Sequence, residues 1–253
     1  MFTPERQQKI LEILQTNPCV RVTTLSEQLG VSEVTIRRDL DKMHEARQVQ
    51  RIHGGATRVE RAAPELPANY RMTDKVDEKS RIGKAAAGLI QDGEIVFIGS
   101  GTTALEVAKN LVGRKNLTVI SNALNVINTL AFEESITLIH TGGLLRVSEL
   151  SFIGYITDQS LRDLHPQKAV IGIHAVSLKD GLTNDFLPEV ATDRAILQAA
   201  PEVILVADHS KFGKISVAFV APLTAIHKVV TDSGIEPEIV TELCRMNIEV
   251  IVA

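Results

Sequence analysis

The stretch "FIGSGTTALEVAK", Phe97–Lys109, decides how the larger part of this chain folds. It reads as a short apolar strand, a loop of Gly, Ser and Thr, and then a helix. Backbone N–H groups at the start of such a helix, and the positive end of its dipole, are suited to hold an anion.

Outward from this unit the pattern repeats. "LTVIS" precedes "ALNVINTLAF", and "ITLIHTGG" follows; later come "KAVIGIHAV", "EVATDRAILQAA", "VILVADHS", "HKVVTD", "EPEIVTELCRM" and "IEVIVA". Alternating apolar strands and helices predict an α/β domain with a mostly parallel sheet covered on both faces. Ligands of such sheets bind at the carboxyl ends of the strands, where "GSGTT", "SNALN" and "TGGLLR" fall.

Upstream the grammar differs. "TPERQQKILEILQ" reads as a helix with Thr3 as its cap and Pro4 at its first position. "TLSEQLG" reads as a second, with Thr24 and Glu27 spaced as a capping box and Gly30 as its stop. "VSEVTIRRDLDKMHEA" is a third, capped by Ser32, and "QVQRIHGG" reads as a strand of a small wing. Ile36, Leu40 and Met43 share one face of the third helix, leaving Val34, Thr35, Arg37 and Arg38 to the flanks and far side. A helix of this kind can read the major groove, with Arg pairing to guanine. Arg47, Arg51, Arg58 and Arg61 would neutralise phosphates, against the bland reading of a merely solvated charged face. Between the halves, Pro64, Pro67 and mixed charges mark a linker. The expected division is residues 1–58, a linker 59–77, and 78–253.

"LSEQLGVSEVTIRRDLDKM" followed by "RIHGGA" resembles the DeoR family of bacterial transcription regulators, with Met43 where the family pattern has Leu. "DEKSRIGKAAAGLIQDG", "GTT", "SNALNVINTL", "GGLLR", "FIG" and "DHSKFG" resemble the effector domain of that family, so the likeness spans nearly the whole chain. It implies an N-terminal winged helix-turn-helix and an effector domain similar to ribose-5-phosphate isomerase and CoA transferases. It further implies a double-stranded DNA operator contacted by Ser32, Val34, Thr35, Arg37, Arg38, Arg51 and His53. The expected effector is a small phosphorylated sugar or polyol. Its expected contacts are Ser100, Gly101, Thr102, Thr103, Ser121, Asn122, Gly142, Gly143, Arg146, Glu189, Asp208 and Lys211. The likeness departs at Gln167, where the family commonly has Asp, and near Asp193, where it often has a basic residue.

Three readings of the Gly99–Thr103 loop compete. Gly99, Gly101 and Ala104 fit GxGxxA, but a dinucleotide site needs an acidic residue about twenty positions on. Ser121 and Asn122 stand there instead, and no Gly-Lys-Ser/Thr exists for a P-loop. The second reading is a sugar-phosphate isomerase: "ADHSK" is similar to its Asp-x-Ser-Lys stretch, with Ser210 beside Asp208 and Lys211, and Glu189 falls near its carboxylate. Aldose isomerisation needs a proton-shuttling base, yet His174-Ala175-Val176 carries no carboxylate where the isomerase has an acidic pair. Binding parts without proton-transfer parts favour the third reading, a sensor and not an enzyme.

The bulk numbers agree with this. A net charge of −4 argues against coating nucleic acid with the whole surface but leaves room for a local basic face. Cys19 and Cys244 have no metal-ligand spacing, so neither a disulfide framework, a metal nor a cofactor is expected. No apolar run of about 18 residues or more suits a membrane span, and the N-terminus lacks a signal-peptide core; a cytoplasmic protein is expected. The full expectation is a repressor of a carbohydrate catabolic operon, acting as a homodimer or homotetramer and released from DNA by its effector.

Overall fold

The computed structural model describes residues 3–253 except Pro18, Arg47, His53 and Val59. The chain divides into two compact units, Met1–Arg61 and Ala62–Ala253.

The first unit runs α1 (Thr3–Thr16), β1 (Cys19–Arg21), α2 (Val22–Leu29), α3 (Glu33–Glu45), β2 (Val49–Ile52), β3 (Gly55–Arg58) and the short β4 (Glu60–Arg61). Ile10, Leu14, Val22, Leu25, Ile36, Leu40 and Met43 form its core, so the inward face read from the third helix is the one buried. Ser32 caps α3, its side chain accepting from Thr35 N at 3.3 Å. Gly30 ends α2 at φ 64°, as its position suggested. Thr24 does not cap α2. The helix begins earlier, because Val22 N–H donates to Gly54 O at 2.8 Å and needs no side-chain cap.

The wing is a hairpin of β2 and β3, joined by β1 in the order β1-β3-β2, all antiparallel. Gly55 permits the close approach of β1, since a Cβ there would lie 2.2 Å from Val20 O. In "RRD" the acid turns inward: Asp39 pairs with Arg6 of α1, and both side chains are almost fully buried. Removing one member of a buried pair leaves the other charge uncompensated. Asp39→Ala is therefore expected to destabilise this unit by about 3 kcal/mol, read as a lower midpoint for its unfolding transition in urea.

The second unit runs α4 (Ala68–Arg71), α5 (Val76–Ala87), β5 (Ile95–Ile98), α6 (Thr102–Lys109), β6 (Leu117–Ser121), α7 (Leu124–Leu130), β7 (Ile136–His140), β8 (Leu144–Arg146), β9 (Ser151–Ile153) and α8 (Tyr155–Asp163). It continues with β10 (Lys168–Ile171), β11 (Ala175–Ser177), β12 (Gly181–Asn184), α9 (Val190–Ala199), β13 (Glu202–Val206), β14 (Lys214–Ile215), β15 (Ala218–Ala221), β16 (Lys228–Thr231), α10 (Pro237–Arg245) and β17 (Glu249–Val252).

A seven-stranded parallel sheet has the order β17-β16-β13-β10-β5-β6-β7. Strand alternation splits its core in two. Val96 and Ile98 of β5 face the cluster made with α5, α6 and α7, whereas Phe97 faces the cluster made with α8, α9 and α10. Helix α6 lies close to α5 because residue 83 is glycine: a Cβ there would sit 2.5 Å from Glu106 Cβ. The run "KAVIGIHAV" is not one strand. It breaks at Gly172–His174 between β10 and β11, and β11 joins a separate antiparallel sheet, β11-β12-β15. The segment read as a linker is also more than that: from Ala62 onward it belongs to the second unit and contains α4.

Candidate functional site

On α3, Val34 is 60% exposed and Arg37 and Arg38 are exposed, so a side chain from each can reach a partner. Arg37 is held by Glu33 at 3.1 Å, while Arg38 makes no ion pair among the described residues. Thr35 is half-buried, with its hydroxyl 3.0 Å from that of Ser32. Arg51 is committed within the unit, to Asp41 at 3.0 Å and Gly55 O at 2.9 Å; it fastens the wing to α3. His53 lies outside the described residues.

In the second unit the strand order turns back at β5 and β10. β6 and β7 lie beyond β5 on one side, and β13, β16 and β17 lie beyond β10 on the other. Adjacent strands whose connections diverge leave a crevice at their carboxyl ends. There the structure has a cleft lined by Ser100–Thr103 after β5, Gly172–His174 after β10, and Ala207, Asp208, Ser210 and Lys211 after β13. Glu65, Arg71, Asp74 and Lys79 line it from the stretch before and within α5, with Glu149, Asn184, Glu189 and Asp193 completing the wall.

One end presents hydrogen-bond donors without partners among the described residues. Gly101 holds φ 107°, a conformation that a side chain would resist, and it places Thr102 and Thr103 in the first turn of α6. First-turn N–H groups have no acceptor inside the helix, and no side chain caps this one. Ser100, Thr102 and Thr103 make no side-chain hydrogen bond among the described residues, although both threonines are buried.

The rest of the cleft is rich in carboxylates. Glu65 meets Lys211 at 2.7 Å, Arg71 at 2.9 Å and His174 Nδ1 at 3.1 Å. Burial would raise the Glu65 carboxyl, but the His174 contact and the charges of Lys211 and Arg71 outweigh it and hold it at about 2. Asp208 caps the turn His209–Lys211, accepting from Ser210 N at 3.0 Å, and lies 3.7 Å from Lys75 Nζ. Glu189 accepts from Ser151 Oγ at 2.7 Å and pairs with Arg146. Burial and then the Glu189 charge push Asp193 up to about 8, against a 2.7 Å hydrogen bond from Asn184. Burial likewise raises Glu149 and lowers Lys79, whose ammonium donates to Arg71 O and Asp74 O, both at 2.6 Å.

The structure thus brings Ser100, Gly101, Thr102, Thr103, Glu189, Asp208 and Lys211 together on one cleft. The other residues expected there have different partners. Ser121 Oγ donates to Ile98 O at 2.7 Å and Asn122 Nδ2 to Phe152 O at 3.1 Å, bracing the β6 loop. Gly143 packs on Thr157, whose Oγ1 would be 2.1 Å from an added Cβ, and Gly142 O accepts from the same hydroxyl at 2.6 Å. Arg146 spends its charge on Glu189, lies 3.7 Å from Asp185 and stacks 4.2 Å from the Phe186 ring centroid. Ser121, Asn122, Gly142 and Gly143 stay off the cleft wall, since β6 and β7 lie on the far side of β5 from β10, whereas Arg146 stands behind the wall through its pair with Glu189.

Sequence reasoning missed Glu65, Arg71, Lys79 and Glu149. Lys79 sits in "DEKSRIG", where nothing but its buried position on α5 separates it from a surface lysine. Glu65 and Arg71 lie in the stretch read as a linker, whose prolines hid its charge partners.

Glu65 has a measurable consequence. A carboxyl held below its ordinary 4.5 contributes stability that is complete above that value and is lost as pH falls toward about 2. The full contribution is about 3 kcal/mol, of which about 2 disappears between about pH 5 and about pH 3. Urea unfolding of the second unit across that range should show a pH slope shallower by this amount in Glu65→Gln; an unchanged slope would contradict the assignment.

A family model described as the DeoR C terminal sensor domain matches residues 74–233, and one described as the DeoR-like helix-turn-helix domain matches residues 6–62. The chain is 36% identical over 233 residues to the transcriptional repressor AccR of Agrobacterium fabrum, covering 92% of this chain and 90% of that one. It is 33% identical over 233 residues to the glycerol-3-phosphate regulon repressor of Escherichia coli K12, covering 92% of each. Among solved structures, ribose 5-phosphate isomerase A of Methanocaldococcus jannaschii matches over 55% of each chain, at 19% identity and a TM-score of 0.42. The chain belongs to the DeoR family of transcriptional regulators, with a helix-turn-helix unit followed by a sensor domain.

Proposed function

We propose that this regulator represses a carbohydrate catabolic operon and is released from its operator by a small phosphorylated sugar or polyol bound in the cleft. The observation that carries the reading is the uncapped first turn of α6, with Ser100, Thr102 and Thr103 around it, opening into a cleft rich in carboxylates and their cationic partners. Free N–H groups and hydroxyls at one end suit a phosphate, while carboxylates at the other accept hydrogen bonds from sugar hydroxyls. A relative described as a glycerol-3-phosphate regulon repressor supports the same ligand class.

DNA contact rests on the exposed face of α3, led by Val34, Arg37 and Arg38, which makes no ion pair among the described residues. Operator half-sites suit at least a dimer, and a homodimer or homotetramer in the cytoplasm is the working state. The effector acts by preferring the conformation that binds DNA less well.

The enzyme reading is disfavoured by the state of the carboxylates. Glu189, the residue nearest to a catalytic role by position, is neutralised by Arg146 and held by Ser151, and His174 is followed by Ala175 and Val176. A proton-shuttling base needs to be free at the reacting carbons. Incubation of the purified chain with ribose 5-phosphate is expected to yield no ribulose 5-phosphate; turnover would revive the isomerase.

Two sets of variants separate the functions. Arg37→Ala with Arg38→Ala should weaken operator binding by about a hundredfold, two contacts at about 1–3 kcal/mol each, and leave thermal stabilisation by sugar phosphate intact. Thr102→Val and Lys211→Ala should do the reverse, keeping operator affinity within about twofold while losing the response to effector. A Thr102→Val chain that is induced normally contradicts the assignment.

A further inference from the structure

Three side chains from separate segments meet in the second unit: Glu65 before α4, His174 after β10 and Asp185 at the end of β12. Each offers one atom that makes no hydrogen bond of good geometry to a cation or backbone donor. Glu65 Oε1 receives Lys211 and Arg71, leaving Oε2 beside His174 Nδ1 at 3.1 Å. Asp185 Oδ2 accepts the Glu65 N–H at 2.8 Å, while its buried Oδ1 makes no hydrogen bond. The His174 side chain is only 4% exposed, and neither ring nitrogen makes a hydrogen bond of good geometry. One ligand atom from each residue lies within 4.8 Å of the others.

These atoms share a capacity to donate lone pairs, one imidazole nitrogen and two carboxylate oxygens. Donors bound to one ion at about 2.0–2.2 Å sit about 3–3.5 Å apart, the spacing that His174 and Glu65 already have. The Asp185 oxygen lies within 4.8 Å of both and would complete the set after a side-chain rotation. The surrounding charges favour a cation. Among the described residues, the cationic side chains paired with Glu65, Asp185, Glu149 and Glu189 are Arg71, Lys211 and Arg146, three against four carboxylates. A phosphorylated effector adds still more negative charge.

We propose that Glu65, His174 and Asp185 form a site for one divalent transition-metal ion of the Mn²⁺ or Zn²⁺ class, whose remaining coordination positions take effector oxygens. The mixed nitrogen and oxygen set suits these ions better than Ca²⁺ or Cu⁺. Lys211 and Arg71 compete for Glu65, and Arg146 Nη2 lies 3.7 Å from Asp185 Oδ1, so the ion is held reversibly rather than as a structural zinc. The metal site stands independently of the effector; only its contact with effector oxygens rests on the function proposed above.

The test uses the full chain, stripped with chelator, without effector or DNA. Mn²⁺ is titrated and the free ion followed by its electron paramagnetic resonance signal, with Zn²⁺ measured by competition against a colorimetric chelator. The expected result is one ion per chain, with affinity falling about tenfold or more in both His174→Gln and Asp185→Asn, each checked for cooperative unfolding. Lys211→Met should bind more tightly, because a competing charge is gone. Absence of stoichiometric binding of either ion, or parental affinity in both ligand variants, overturns the proposal. If the ion binds through these residues but changes no sugar-phosphate affinity, the site stands and its contact with the effector does not.

Discussion

The second unit depends on one topological constraint: parallel strands β5 and β10 are neighbours, yet the chain leaves them toward opposite faces of the sheet. Helix α6 packs with the cluster on one face, and α9 with the cluster on the other. No loop can close the gap between diverging connections, so a crevice is obligatory there. Gly101 then turns the chain sharply enough to aim the first turn of α6 into it. Gly83 lets α5 press against α6 from behind. Packing far from the cleft thus determines where the uncapped N–H groups of α6 stand.

Charge balance gives the cleft its character. Buried carboxylates are tolerable when paired and hydrogen-bonded, and this cleft satisfies them with a linked set: Lys79 anchors the backbone at Arg71 and Asp74, Arg71 pairs with Glu65 and Glu149, and Lys211 closes on Glu65. A dianionic ligand entering this set would compete with Glu65 and Glu149 for Arg71 and Lys211 and so redistribute those pairs. Such redistribution is a differential interaction, the physical requirement for a ligand to shift a conformational equilibrium. Glu65 and Arg71 lie a few residues beyond the helix-turn-helix unit in the chain, so any rearrangement begins close in sequence to the DNA-reading half.

Much of this was legible in the residues. The inward face of α3 and the alternation of strands and helices follow from apolar spacing, which burial enforces directly. The Ser100–Thr103 loop was legible from its Gly, Ser and Thr between strand and helix, and the Asp208–Lys211 turn only through its resemblance to the isomerase's Asp-x-Ser-Lys stretch. What escaped were features set by topology. Ser121, Asn122, Gly142 and Gly143 belong to loops at the same sheet edge, but strand order carries them away from the cleft, and Arg146 reaches it only through Glu189. Glu65 and Arg71 carry no periodic signal; their role comes from partners such as Glu149 and Lys211, far along the chain. The pairing of Asp39 with Arg6 was hidden for the same reason, inside a run that reads as solvated charge.

The central claim is that a phosphate-bearing ligand in this cleft governs release from DNA. Fluorescence anisotropy of the chain on its operator, titrated with sugar and polyol phosphates and with each dephosphorylated counterpart, tests it most directly. The account predicts that one phosphorylated compound releases the DNA and that the same compound without its phosphate does not. Release by both forms at equal concentration would contradict it.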